Sequence, residues 1–203
     1  MLSSQKKENM NYKINDNVFN LFPKLETKRL LLEEFKITDG QDLFNIRSDD
    51  MVMKYLDRDN HKSIKDSEVM ISGIIKSYID KSGLNWIIRE KNSLKVVGYI
   101  GYWRLIREGV RAEIGYALNP DYWGKGLMFE ALTKVIEFGF DEFGLHSIEG
   151  NVNPDNVSSI RLLQKLGFKK EAYFREDYLY NGKYLDSAIY SLLETDIPNN
   201  KNT

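Results

Sequence analysis

The 203-residue chain contains no cysteine. That absence excludes disulfides, thiolate metal sites and a cysteine nucleophile together, and it fits a reducing compartment. Histidine is nearly as scarce. His61 and His146 are the two in the chain, too few for a clustered histidine metal site. No apolar run approaches the ~20 residues of a membrane span. The opening "MLSSQKKENMNYKIN" lacks the apolar stretch of a secretory signal. The formal net charge is −1, so the totals give no reason to expect nucleic acid or a membrane surface as partner. The expected address is the cytoplasm.

What remains is ordinary globular material, with 42% hydrophobic and 29% charged residues. The length suits one domain with a real core. Residues 1–25 read as a polar extension in which Val18, Phe19, Leu21 and Phe22 form a small apolar cluster before Pro23. Residues 26–194 read as the domain, and 195–203, "TDIPNNKNT", as a disordered tail.

Alternation and helical spacing give the element order. Strands are expected at 29–35, 85–89, from Val96, at 111–118, 147–152, 173–180 and 184–193. The last two flank an "NGK" turn suited to a hairpin. Helices are expected at 41–47, 66–81, 128–143 and 155–166, with Gly83 and Gly167 as stops. This is a mixed sheet with helices, an α+β or α/β domain.

One stretch does not fit a plain strand-to-helix turn: "YWGKGLMFEAL", from Tyr122 to Leu132. The N–H groups at a helix start are unpaired and partially positive. Glycines there let a phosphate approach the backbone, and Lys125 adds a cation. A Walker loop is absent, and Phe129 stands where a dinucleotide fingerprint needs its third glycine. An anion site remains, beside the plainer reading of a glycine-rich surface turn.

"EIGYALNPDYWGKGLMFEAL" followed by "NVNPDNVSSIRLLQKLGFKKEA" closely resembles the GNAT superfamily of acetyl-CoA-dependent N-acetyltransferases. "WGKGLM" has the spacing of the family's Gln/Arg-x-x-Gly-x-Gly/Ala element, with Trp123 and Met128 at its ends. Those two departures are usual in the bacterial Rim-type N-terminal alanine acetyltransferases of ribosomal proteins. The resemblance spans Leu25 to Glu194.

The resemblance implies the GNAT acetyl-CoA-binding α+β fold, with a mixed, mostly antiparallel sheet of six to seven strands and about four helices. It implies that the backbone of Trp123, Gly124, Lys125, Gly126, Leu127, Met128 and Phe129 holds the pyrophosphate of coenzyme A. It places pantetheine along Tyr116, Ala117 and Leu118, where a bulge in that strand splays it from its neighbour. Asn156 and Ser159 fall on the Rim-type N-x-x-S element, the Asn toward the cofactor arm and the Ser toward the sulfur as a proton donor. Both are also ordinary helix-capping residues. Glu113 is either a base acting directly or through water, or a strand carboxylate in an ion pair with Arg111 or a neighbour. The tyrosine that many relatives carry four residues before Gly-Phe is Leu163 here.

Other residues receive structural readings. His146 reads as a turn or capping residue, and His61 as a loop residue. Trp86, Trp103, Tyr99 and Tyr102 read as packing. The acidic run Asp49, Asp50, Asp57 and Asp59 reads as solvated, or as a lure for a charged peptide N-terminus, with Tyr178 and Tyr180 as an opposite wall. The expected partners are acetyl-CoA and an amine acceptor, a protein N-terminus or a small amine, with no metal, nucleic acid or membrane and a monomer or homodimer as the assembly. A silent CoA-binding module and a nucleotide-binding regulatory domain are the alternatives.

Overall fold

A computed structural model describes residues 13–197, whose strands form one eight-stranded sheet with helices on both faces. Residues 1–12 and 198–203, parts of the expected extension and tail, lie outside the described residues. The strands are β1 (Leu25–Glu26), β2 (Leu30–Glu33), β3 (Leu84–Glu90), β4 (Val96–Ile106), β5 (Arg111–Leu118), β6 (Ser147–Val152), β7 (Lys169–Tyr180) and β8 (Lys183–Leu193). They lie side by side in the order β1-β2-β3-β4-β5-β6-β8-β7. The helices are α1 (Gly40–Arg47), α2 (Asp50–Met53), α3 (Ile64–Ile79), α4 (Leu127–Asp141) and α5 (Val157–Lys165). The architecture is the α+β fold expected. Two-residue β1 brings the sheet to eight strands, and one-turn α2 brings the helices to five.

Local chemistry sets the boundaries. Helix α3 starts at Ile64, earlier than expected, because Ser63 and Asp66 form a reciprocal capping box. The β7–β8 hairpin turns on Asn181 and Gly182, both at positive φ as a tight hairpin turn demands. Strand β7 begins four residues early because Lys169 and Lys170 find partners on Ser191 and Tyr190 of β8.

One core lies between the sheet and α4 with α5, centred on Trp86, Tyr102, Phe138 and Phe143. The other lies under α1 and α3, with Phe35, Leu43, Ile71, Ile87 and Tyr99. The segment before β1 joins the first core. Ile14 is buried, Phe19 meets Phe143 and Tyr78, and Phe22 meets Trp86 and Tyr78. The Trp86 indole donates to the Pro23 carbonyl at 2.6 Å. Leu21 stays in solvent.

Every neighbouring pair is antiparallel except β5–β6, which is parallel. Parallel neighbours need a crossover, and α4 supplies it. The β5–β6 pairing is short: Arg111 to Glu113 against Ser147 to Glu149. Beyond that, β5 follows β4 as far as Leu118, and β6 follows β8 as far as Val152. The sheet therefore opens into a V at its centre. The bulge that accompanies the V is on β4, around Trp103, and not on β5 where the family resemblance placed it. The reason is steric. The Trp103 indole lies across Gly115, where a Cβ would come within 2.6 Å of Nε1.

Helix α4 is seated by a hydroxyl in a glycine notch. Tyr102 donates to the Val135 carbonyl at 2.8 Å, and a Cβ on Gly139 would meet that hydroxyl at 2.2 Å. Gly139→Ala is expected to cost about 1–3 kcal/mol in urea unfolding through overpacking. Gly73→Ala, on the open face of α3 with nothing within 4 Å of the new Cβ, is expected to be neutral or to stabilise by up to about 1 kcal/mol.

Candidate active site

The V between β5 and β6 continues into a cleft of about 740 Å³. Its floor is the β5 segment from Ile114 to Leu118, its far wall Gly150 to Asn153 of β6 and the loop beyond it, and one end the first turn of α4. At the other end are residues of α2 and the following turn, among them Val52, Tyr55 and Leu56.

The α4 end is built for an anion. Gly124 and Gly126 sit at φ +71° and +72°, the left-handed region that side chains disfavour. Gly126 is the N-cap, and no side chain caps the helix. Among the described residues the N–H groups of Gly124 to Phe129 have no hydrogen-bond partner. A Cβ on Gly124 would meet no protein atom within 4 Å. Backbone conformation and the open cleft, not crowding by protein, are what glycine serves here. Unpaired amides and the helix dipole together suit phosphate oxygens.

Of the expected cofactor residues, Tyr116, Ala117, Leu118, Trp123, Gly124, Gly126, Leu127, Met128 and Phe129 all line the cleft, as do Asn156 and Ser159. Leu127 and Met128 are also buried members of the core. Trp123 spends its indole N–H on the Leu118 carbonyl at 2.7 Å, tying the loop to the end of β5. Lys125 does not line the cleft. Its ammonium sits over the Tyr122 ring, 5.1 Å from the centroid. Lys165 and Lys54 are the cations of the lining instead. Sequence reading missed both, although Lys165 lies inside the quoted "LLQKLGF".

Helix α5 brings the hydroxyl chemistry. The Asn156 side-chain oxygen accepts the Ser159 N–H at 3.1 Å, a cap that fixes the helix start. The Ser159 hydroxyl lies 2.7 Å from the Tyr116 hydroxyl, arriving from β5. Burial pushes the Tyr116 phenol up to about 12, against a smaller lowering by its bond to Ser159. It is a neutral hydrogen-bonding group throughout the physiological range. Strand alternation placed Tyr116 on the face of Ala112 and Ile114, but nothing in the sequence paired it with a serine 43 positions away.

Glu113 is held outside the lining. It occupies the last paired position of β5 with β6 and makes an ion pair with Arg104 at 2.9 Å. Arg111 pairs with Glu149 at 3.5 Å. No Asp, Glu or His lines the cleft among the described residues. The acidic run is engaged piece by piece. Asp49 caps α2, Asp50 accepts from Asn60, Asp57 from Tyr178 and Asp59 from Tyr180. The two tyrosine bonds join the hairpin to the loop after α2. His61 contacts Ser67 through Nδ1 at 2.7 Å, and burial and then Arg47 lower its pKa. His146 lies at the turn before β6, its N–H on the Val110 carbonyl. Trp86, Tyr99 and Tyr102 are core residues, while Trp103 is partly exposed.

Residues 29–169 match the family described as the acetyltransferase (GNAT) domain. The chain belongs to the GNAT acetyltransferase family. It is accordingly an acetyl-CoA-dependent N-acetyltransferase. The uncharacterized N-acetyltransferase YoaA of Bacillus subtilis is 36% identical over 174 residues, which are 86% of this chain and 98% of that one. The crystal structure of a GNAT-family acetyltransferase from Bacillus anthracis has a TM-score of 0.76 at 26% identity, over 85% of this chain and 99% of that one. The ribosomal protein uS5 alanine N-acetyltransferase of Escherichia coli is 34% identical over 103 residues, 50% of this chain and 53% of that one. A more distant relative, 22% identical over 169 residues (82% of this chain, 94% of that one), is the spermidine N(1)-acetyltransferase of Vibrio cholerae. The relatives thus include both protein and small-amine acetyltransferases. Among the described residues no helix is long and apolar enough to cross a membrane.

The loop geometry generates a direct test. Gly126→Val puts a β-branched side chain at φ +72°, a conformation it resists, so the loop must shift and its amides turn from their places. It is expected to raise the KM for acetyl-CoA at least about tenfold, with the circular dichroism spectrum unchanged. An unchanged KM would contradict the backbone cradle.

Proposed function

We propose that the acceptor is a protein or peptide N-terminal α-amine, and that Ser159, backed by Tyr116, returns a proton to the departing thiolate. The observation that carries the acceptor class is the charge of the cleft. Its lining holds Lys54 and Lys165 and no carboxylate. A polyamine, with several ammonium groups, finds nothing there to neutralise it. A peptide terminus brings a single amine, lost as an ammonium once it reacts. The likeness to the uS5 alanine acetyltransferase agrees with this reading.

Acetyl-CoA supplies an acyl group activated as a thioester. The loop from Gly124 to Phe129 would hold its pyrophosphate, and the unpaired edge of β5 from Tyr116 to Leu118 its amide-bearing arm. In the reaction an N–C bond forms and the C–S bond breaks. The amine loses a proton, and the thiolate gains one. With no carboxylate or imidazole lining the cleft among the described residues, the amine proton leaves through water, for which Glu113 at the root of the V is the carboxylate along β5. The Ser159 hydroxyl gives its proton to sulfur as the Tyr116 phenol passes one to Ser159 Oγ, and water that has received the amine proton returns one to the phenol, so no alkoxide is left. Leu163 occupies the place where many relatives carry tyrosine, and in this chain a phenol reaches the site from β5 instead.

Ser159→Ala is expected to lower kcat about a hundredfold with the KM for acetyl-CoA changed less than threefold. Tyr116→Phe is expected to lower kcat about tenfold. Because the phenol stays protonated until pH about 12, Tyr116→Phe should leave the alkaline side of the pH–rate profile unmoved up to about pH 10. The acceptor class is tested by thiol release from acetyl-CoA with peptides that begin with Ala or Ser and with spermidine. Release with the peptides is expected. Release with spermidine alone would overturn the peptide assignment.

A further inference from the structure

The phosphate loop is held from behind by residues that lie about a hundred positions earlier. Arg29, just before β2, reaches the loop with its whole guanidinium. Nε lies 2.6 Å from Glu130 Oε2, and Nη1 donates to the Lys125 carbonyl at 2.9 Å. The Arg29 backbone N–H adds a bond to Glu130 Oε1 at 2.8 Å, and the Thr27 hydroxyl another at 2.6 Å. Thr27 is itself fixed, because Leu30 N–H donates to its Oγ1 at 3.0 Å. Glu130 lies in the first turn of α4. Burial pushes its carboxyl up, but the bonds from Thr27 and Arg29 outweigh that and hold it below the ordinary carboxylate value. It stays ionised at neutral pH, with Arg29 as its counter-charge.

The bond to the Lys125 carbonyl has a consequence through the peptide plane. In a trans peptide the C=O of one residue and the N–H of the next point in opposite directions. Holding the Lys125 carbonyl toward Arg29 turns the Gly126 N–H the other way. Gly126 lines the main cleft and also, with Thr27, Arg29 and Glu130, a separate shallow hollow behind the loop, whereas Arg29 borders the hollow and not the cleft. Arg29 thus sets the direction of an amide in the cradle without entering the cleft. It also sets a positive charge against Glu130, which otherwise would present an unbalanced negative charge beside the incoming phosphates.

We propose that Arg29, seated on Glu130, is a positioning residue for cofactor binding: it pins the Lys125–Gly126 peptide so that the loop meets the pyrophosphate with its amides already aligned. The inference rests on the reading that this loop takes the pyrophosphate of acetyl-CoA. Pre-aligned donors spare the cost of ordering them on binding. The brace acts on a ground-state contact made far from the sulfur, so its loss falls on KM and not on kcat.

The test compares the full chain with Arg29→Ala, Arg29→Lys and Glu130→Gln by steady-state kinetics, and follows backbone ¹⁵N order parameters at Gly124 to Phe129 without cofactor. Arg29→Ala is expected to raise the KM for acetyl-CoA about fivefold to tenfold, with kcat within twofold and lower order parameters confined to the loop. Arg29→Lys, which cannot span Glu130 and the Lys125 carbonyl together, is expected to recover only part of the loss. If Arg29→Ala does not fold, Glu130→Gln carries the same test, since it keeps the shape and removes the charge that seats the arginine. An unchanged KM in a folded variant, or a fall in kcat of the same size as the rise in KM, overturns the proposal. Failure of the wild-type protein to release thiol from acetyl-CoA would strike the underlying reading instead. The brace would then stand or fall on loop order alone, with unchanged order parameters in Arg29→Ala overturning it.

Discussion

Helix α4 begins at a glycine in the left-handed conformation with no side chain to cap it, and its first amides face an open cleft. Uncapped amides at a helix start are costly to bury and well placed to bind an anion. The neighbouring features follow from keeping that terminus open and in place. As the crossover between parallel β5 and β6, the helix starts where β5 ends. Because the two strands pair over only Arg111 to Glu113 before parting, the cleft runs from the helix start through the sheet. The Trp123 indole closes the loop onto Leu118, and Tyr102 in the Gly139 notch seats the helix on the sheet.

Around this terminus the chemistry divides by distance. In the proposed reading, phosphate binding falls to backbone amides, which need only correct conformation and therefore glycine. Proton transfer falls in that reading to the two hydroxyls brought together from α5 and β5. At the far end α2 and the following turn meet the cleft, and two tyrosine–aspartate bonds tie the hairpin to the loop beyond. The aspartates expected to be solvated or to attract a charged peptide N-terminus accept bonds from two phenols, an amide and the first N–H groups of α2. None of the four lines the cleft.

Much of the fold was legible because it rests on local periodicity. Strands β5 and β6 have the ends that alternation predicts, and the "NGK" turn takes the backbone conformation its residues require. The uncapped start of α4 was legible too, because Gly124 and Gly126 stand where a capping side chain would be expected. What escaped the sequence depends on contacts between distant segments. The Trp103 bulge interrupts a strand whose alternation looks continuous. Tyr116 and Ser159 meet only once β5 and α5 frame the same cleft, and Arg29 meets Glu130 across 101 positions. Lys125 misled for a different reason. A lysine between two glycines reads as a phosphate ligand, yet its flexible stem lets the ammonium settle over a neighbouring aromatic ring.

The central claim is that the amides at the start of α4 bind the pyrophosphate of coenzyme A. Calorimetric titration of the wild-type protein with coenzyme A and with pantetheine, which has the same thiol arm and no pyrophosphate, tests it most directly. Several charge-assisted bonds to the loop predict that coenzyme A binds at least about a hundredfold more tightly. Equal affinity for the two would contradict the account.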